Sequence, residues 1–139
     1  MDNVKLLQSL DNPDNESIIN LTTNKIWEMN LNILEELHLD KETIIIYLKK
    51  LNGYRYIDEI KELKYGAYIK WIPITDPTYL PLNNTSIICD IRISDDSILI
   101  TCKNFMHKHF TFKMDEVLIF QKLSSQEQVI IYALDHLDK

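Results

Sequence analysis

The chain has 139 residues, 45% hydrophobic and 26% charged, with a net charge of −6. That length and balance suit one domain that buries about two thirds of its unfolded surface without disulfide staples. Two cysteines are too few for a disulfide scaffold, and no segment reaches the roughly 18 apolar residues that span a bilayer.

The opening "MDNVKLLQSLDNPDNES" has no basic region followed by an apolar stretch, so a soluble, intracellular protein is expected. Residues 1–60 hold six Lys/Arg against eleven Asp/Glu, and residues 61–139 nine against ten. The acidity sits in the N-terminal part, which argues against that part wrapping nucleic acid.

Residues 1–57 read as an acidic helical segment. In "TTNKIWEMNLNILEELHL" the residues Ile26, Met29, Ile33, Leu34 and Leu37 follow the spacing of one helix face, with Thr22 or Thr23 as N-cap. A second helix follows in "LDKETIIIYLKKLNG", with Asp40 as N-cap, Ile44, Ile45, Leu48 and Leu51 facing inward, and Gly53 as C′ stop. Together they predict a helical hairpin, although the β-branched run in "TIIIYL" also suits a buried strand.

From Tyr54 the texture changes to β-branched and aromatic runs separated by turn clusters. Five strands are predicted, at 64–74, 86–93, 97–103, 108–114 and 117–122, with a long loop carrying Pro77, Tyr79 and Pro81 and a tight corner at Asp115-Glu116. Short spacing makes them antiparallel neighbours, the pattern of an SH3-like small β-barrel over residues 58–123. The closing stretch 124–139 predicts a helix packed on the barrel, opened by a Ser124/Glu127 capping box and buried along Val129 or Ile130, Ala133, Leu134 and Leu137. The expected fold is thus α+β: an N-terminal helical hairpin, a five-stranded antiparallel SH3-like barrel and a C-terminal helix, in one unit.

Cys89, Cys102, His107 and His109 are the residues closest to chemistry. A hairpin closed by residues 94–97 puts Cys89 opposite Cys102 on the inner face, while Phe110, Phe112 and Met114 turn inward and His109, Thr111 and Lys113 outward. A Cys2His2 zinc site would need both faces of one sheet to converge, and a nucleophilic thiolate needs an electropositive, partly open setting. The expectation is therefore no metal, no cofactor and no catalytic residue, with two reduced thiols that a cross-strand disulfide could in principle join. The outer row Asp90, Thr101 and His109 has no oxyanion loop to serve it in a chain whose only glycines are Gly53 and Gly66.

Two binding surfaces remain. Lys103, Phe105, Lys108, His109 and Lys113 form the one basic, acid-free stretch and are candidates for nucleic acid. Tyr68 and Tyr79 are candidates for a protein partner, with Trp71 assigned to the core. A copy of the chain could also pair along an edge strand of an incomplete barrel. The leading expectation is a non-enzymatic protein-interaction protein, with nucleic-acid binding second and an enzyme third.

The strings "YGAYIKWI", "IICDI", "ILITCKNF" and "FTFKMDEVLIFQKLSSQEQVIIYALD", with heavy use of Ile, Asn and Lys, resemble small uncharacterised proteins of giant (nucleocytoplasmic large) DNA viruses over roughly residues 64–137. The resemblance implies an intracellular setting, in the infected host cell's cytoplasm or the virion. It implies no activity, cofactor or functional residue.

Overall fold

In the computed structural model, which describes residues 3–19 and 21–137, short-range signals set the helix ends. Helix α1 covers Asn3–Asp11 and is followed by a 3-10 segment, Pro13–Ile18. Helix α2, Thr23–Glu35, is capped by Thr22, whose side chain accepts the Lys25 N–H. Helix α3, Lys41–Lys50, is capped by Asp40, whose carboxylate accepts the Thr43 N–H at 2.8 Å. Residues 43–48 are therefore helical. The C-cap is Leu51, so C′ is Asn52 and Gly53, predicted at C′, stands one position beyond it, with φ +84° turning the chain toward the sheet.

The sheet has six antiparallel strands rather than five. They are β1 Tyr54–Ile57, β2 Tyr68–Pro73, β3 Asn83–Ile93, β4 Ile98–Lys103, β5 His109–Lys113 and β6 Val117–Lys122, in the order β1-β6-β2-β3-β4-β5. The unforeseen strand is β1, which pairs with β6 from Tyr54↔Lys122 to Ile57↔Ile119. It also leaves the expected barrel open, because β1 and β5 lie at opposite edges and do not pair.

The open sheet is nonetheless strongly curled. Trp71 on β2 stacks on Phe110 of β5 with ring centroids 4.8 Å apart. Three strand spacings would separate β2 from β5 by roughly 14 Å in a flat sheet. The concave side so formed encloses Ile57, Ile69, Ile88, Ile100, Cys102 and Ile119, and Trp71 packs with this core as expected. On the opposite side, Ile72, Leu118 and Phe120 meet Leu34 and Leu51 of the helical layer. Strand β6 is thus buried on both faces from Val117 to Gln121, because it has β1 and β2 beside it and a core above and below.

Two polar side chains lock the helices to the sheet. Asn30 of α2, buried where a helix face is normally apolar, donates to the Tyr54 carbonyl at 3.1 Å and accepts the Tyr56 N–H at 2.9 Å. It satisfies backbone groups on the outer edge of β1 that would otherwise be open to another strand. Lys70 of β2 donates to the Lys50 carbonyl at 2.7 Å, at the C-terminal end of α3, and lies over the Tyr54 ring at 4.8 Å.

Helix α4, Ser125–Leu137, opens on the expected capping box: Ser124 N–H donates to Glu127 Oε1 at 2.8 Å and Glu127 N–H to Ser124 Oγ at 3.1 Å. Its buried stripe is Glu127, Ile130 and Ile131, with Ile130 and Ile131 against Ile18 and Ile26, while Leu137 is 81% exposed. The predicted stripe fails at Leu137, because the apolar cluster that covers α4 reaches as far as Leu134. The Asp135 carboxylate accepts both the N–H and the hydroxyl of Thr23, tying α4 to the electropositive first turn of α2.

Candidate functional site

The cysteine–histidine stretch falls apart on one bulge. The β3–β4 hairpin holds the expected register from Ile93↔Ile98 to Asp90↔Thr101, then shifts so that Ile88, not Cys89, opposes Cys102. Cys89 becomes the unpaired bulge residue and is exposed, while Cys102 is buried. The inner position goes to Ile88, which is more apolar. Burial, with a smaller contribution from Cys89, pushes the Cys102 thiol up to about 12. A thiol so far from ionisation is inert. The native chain is expected to take up a maleimide at Cys89 alone and at Cys102 only after denaturation; rapid double labelling of native protein, read by mass, would contradict this placement.

The phase of β5 is as expected, with Phe110, Phe112 and Met114 packed on the concave core and His109, Thr111 and Lys113 exposed. The row across the outer face is different. Thr101 opposes Thr111, their hydroxyls 2.9 Å apart, and His109 opposes Lys103. Asp90 turns back on its own strand to meet Arg92 Nε at 3.1 Å, so Asp90, Thr101 and His109 form no acid-hydroxyl-base chain. Among the described residues no three His, Cys, Asp or Glu side chains converge as metal ligands.

Lys103, Phe105, Lys108 and His109 gather at the β4–β5 hairpin, with Lys113 at the far end of β5. The hairpin tip is a preformed turn. Asn104 Oδ1 accepts the N–H of Met106 at 2.9 Å and of Lys108 at 3.0 Å, and His107 adopts φ +61°. Phe105 and Met106 are thereby held out, 70% and 86% exposed. Strand β5 is also the open edge of the sheet, and its His109 and Lys113 discourage strand addition.

Tyr68 and Tyr79 are both exposed, Tyr68 as the first residue of β2 and Tyr79 in the loop that follows that strand. Tyr68 lies beneath Lys122, whose ammonium is 5.6 Å from the ring. Tyr79 projects from a loop pinned to α3 by Tyr47, whose hydroxyl donates to the Leu80 carbonyl at 2.7 Å and accepts the Leu82 N–H.

A different surface is more apolar than either. Helix α3 carries Ile44, Ile45, Ile46, Tyr47 and Leu48, and none of them is fully buried. Ile45, expected inside, is 53% exposed, as is Ile46 at 51%. Three consecutive isoleucines point in three directions on a helix, and the core takes Ile44 with Tyr47 and Leu48 and leaves Ile45 and Ile46 outside. Beside them a cleft of about 520 Å³ opens between α2 and α3, floored by Leu48 and Leu51 and flanked by Ile45 and Trp27. Trp27 is 50% exposed.

Known protein families, curated proteins and solved structures contain no match to this chain. The functional reading therefore rests on its own surfaces. No helix among the described residues is long and apolar enough to cross a membrane.

The most polar buried region is structural in character. Arg55 of β1, 1% exposed, pairs with Glu62 at 2.6 Å and approaches Glu127 of α4 at 3.7 Å, while Lys64 reaches Glu127 at 3.6 Å. Gln121, opposite Arg55 on β6, donates to the Glu62 carbonyl and accepts the Lys64 N–H, both at 2.9 Å. These groups clasp residues 62–64 and the start of α4 onto the sheet. "YRYI" carries one local hint of this arrangement, a single charge inside a β-prone run.

Proposed function

We propose that the chain is a non-enzymatic interaction module, an adaptor, whose α2–α3 face receives an apolar helix of a protein partner. The observation that carries this reading is α3, a helix with five successive apolar or aromatic residues of which the fold buries none completely. Exposed apolar side chains beside a cleft, here Ile45 and Trp27, mark an interaction surface. The adjoining cleft has the size of a recognition pocket, and its flanking tryptophan is of the kind that dominates interface energetics. A partner helix laid along α2 and α3 would cover Trp27 and Ile45 with its i, i+3, i+4 and i+7 side chains. The α2–α3 face thus replaces Tyr68 and Tyr79 as the preferred protein-binding surface.

The sheet supports an SH3-like reading of residues 58–123 in an open form. Strands β6-β2-β3-β4-β5 follow one another in that order, a single 3-10 turn, Met114–Glu116, separates β5 from β6, and β1 adds a strand beyond. A second functional reading, nucleic-acid binding through residues 103–113, draws on the exposure of Phe105 between Lys103 and Lys108.

A photo-crosslinking amino acid placed in turn at Trp27, Ile45, Tyr68 and Tyr79 tests the preferred surface in cells. Crosslinks from positions 27 and 45 are expected to fall on neighbouring residues of one apolar-striped helix in one partner. Crosslinking no stronger there than at positions 68 and 79, or to unrelated chains, would overturn the assignment.

A further inference from the structure

The two ends of β4 carry opposite chemistry. Ahead of it, the 94–97 turn places Asp95 and Asp96 at a cleft of about 580 Å³ that is also lined by Asp58, Asp115, Ile93 and Met114. All four aspartates are exposed, and Ile93 is 72% exposed. Beyond the other end of β4 stands the hairpin tip, with Phe105 and Met106 projecting between Lys103 and Lys108, beside His107. Among the described residues neither the four aspartates nor the two lysines form ion pairs within the chain.

We propose that these ends are the two halves of one interface and that the chain associates head to tail with a second copy of itself. Phe105 and Met106 of one copy enter the cleft of the next, and Lys103 and Lys108 face its Asp58, Asp95, Asp96 and Asp115. An acid-rimmed apolar cleft suits an occupant that is apolar at its point and basic at its base, and the tip has that arrangement. A nucleic acid would engage the tip alone and leave the cleft without an occupant.

Self-insertion is excluded by distance, since the six residues of β4 hold tip and cleft about 20 Å apart. The tip is also rigid before contact, because Asn104 fixes the turn from inside, so little ordering opposes docking. The contact is heterologous: every open assembly keeps one free tip at one end and one free cleft at the other, and association continues into chains or closes into a ring. A contact confined to a hairpin tip lies at the small end of interfaces, so it is weak and sensitive to salt. This surface is separate from the α2–α3 face, and either can fail without the other.

Sedimentation velocity of the full chain tests the proposal, with variants Phe105→Asp/Met106→Asp and Asp95→Lys/Asp96→Lys alongside. At ~0.05 M salt the wild-type weight-average coefficient should rise with concentration toward oligomer values, and ~1 M salt should return it to monomer. Each variant alone should remain monomeric, with an unchanged thermal melt because all four positions are exposed. Mixed together, they should form a 1:1 dimer and nothing larger, because one retains its cleft and the other its tip. Monomeric wild type up to ~500 μM would overturn the proposal, as would variants that associate like wild type or a mixture without dimer. Monomeric wild type whose tip binds a single-stranded oligonucleotide would assign the tip to nucleic acid instead.

Discussion

Replacing Arg55 with methionine should destabilise the protein by about 3–5 kcal/mol, because it leaves buried carboxylates without their counter-charge. Arg55 and Glu127 are each 1% exposed and the Glu62 side chain 13%, so water cannot substitute for the lost guanidinium. Methionine keeps most of the side-chain volume, which makes the effect electrostatic rather than a cavity. Adding Glu62→Gln and Glu127→Gln to Arg55→Met should recover part of the loss, since glutamine can still serve the capping box and no buried charge of either sign remains at those three positions. Urea unfolding reads both changes. A loss below about 1 kcal/mol for Arg55→Met, or a triple variant no better than the single, would show that the network does not hold β1 and α4 to the sheet.

Phe120→Ala should destabilise by a similar amount, about 3–5 kcal/mol, as expected for a large buried aromatic whose cavity cannot collapse. Phe120 is 0% exposed and lies on the strand that has a core on both sides, 5.8 Å from the Tyr56 ring. Phe110 provides the comparison: it is only partly buried, on edge strand β5, and its replacement by alanine should have a clearly smaller effect. Set against the ~5–15 kcal/mol that stabilises a domain of this size, Phe120→Ala should leave a marginal fold. Equal losses at the two positions in denaturant unfolding would contradict the placement of β6 between two cores.

What could be read from the sequence was what short-range physics decides. Thr22, Asp40 and the Ser124/Glu127 pair cap their helices because a cap joins a side chain to backbone two or three residues away, and both partners lie in one window. Likewise, the alternation of Phe110, Phe112 and Met114 against His109, Thr111 and Lys113 phased β5, since a slip would expose two phenylalanines.

The misplaced features depend on distant residues. "YRYI" reads poorly as a buried strand because its arginine is acceptable inside only with Glu62 and Glu127 delivered from elsewhere. The bulge at Cys89 leaves no trace in "IICDI", where Ile87, Ile88 and Ile91 allow either phase. Ile45 reads as inward in the sequence because three isoleucines in succession do not phase a helix until the side that the sheet covers is known. That ambiguity concealed the α2–α3 face, and Trp27 beside it gives no signal until the neighbouring helix is in place.

The measurement closest to the central claim is hydrogen–deuterium exchange on the full chain, alone and in the complex purified from cells through a tag on it. Slowed exchange is expected in the partner-bound state across α2 and α3, residues 23–50, with the segments around Tyr68 and Tyr79 unchanged. Unaltered exchange over 23–50 with protection appearing around residues 65–68 or 76–80 would contradict it.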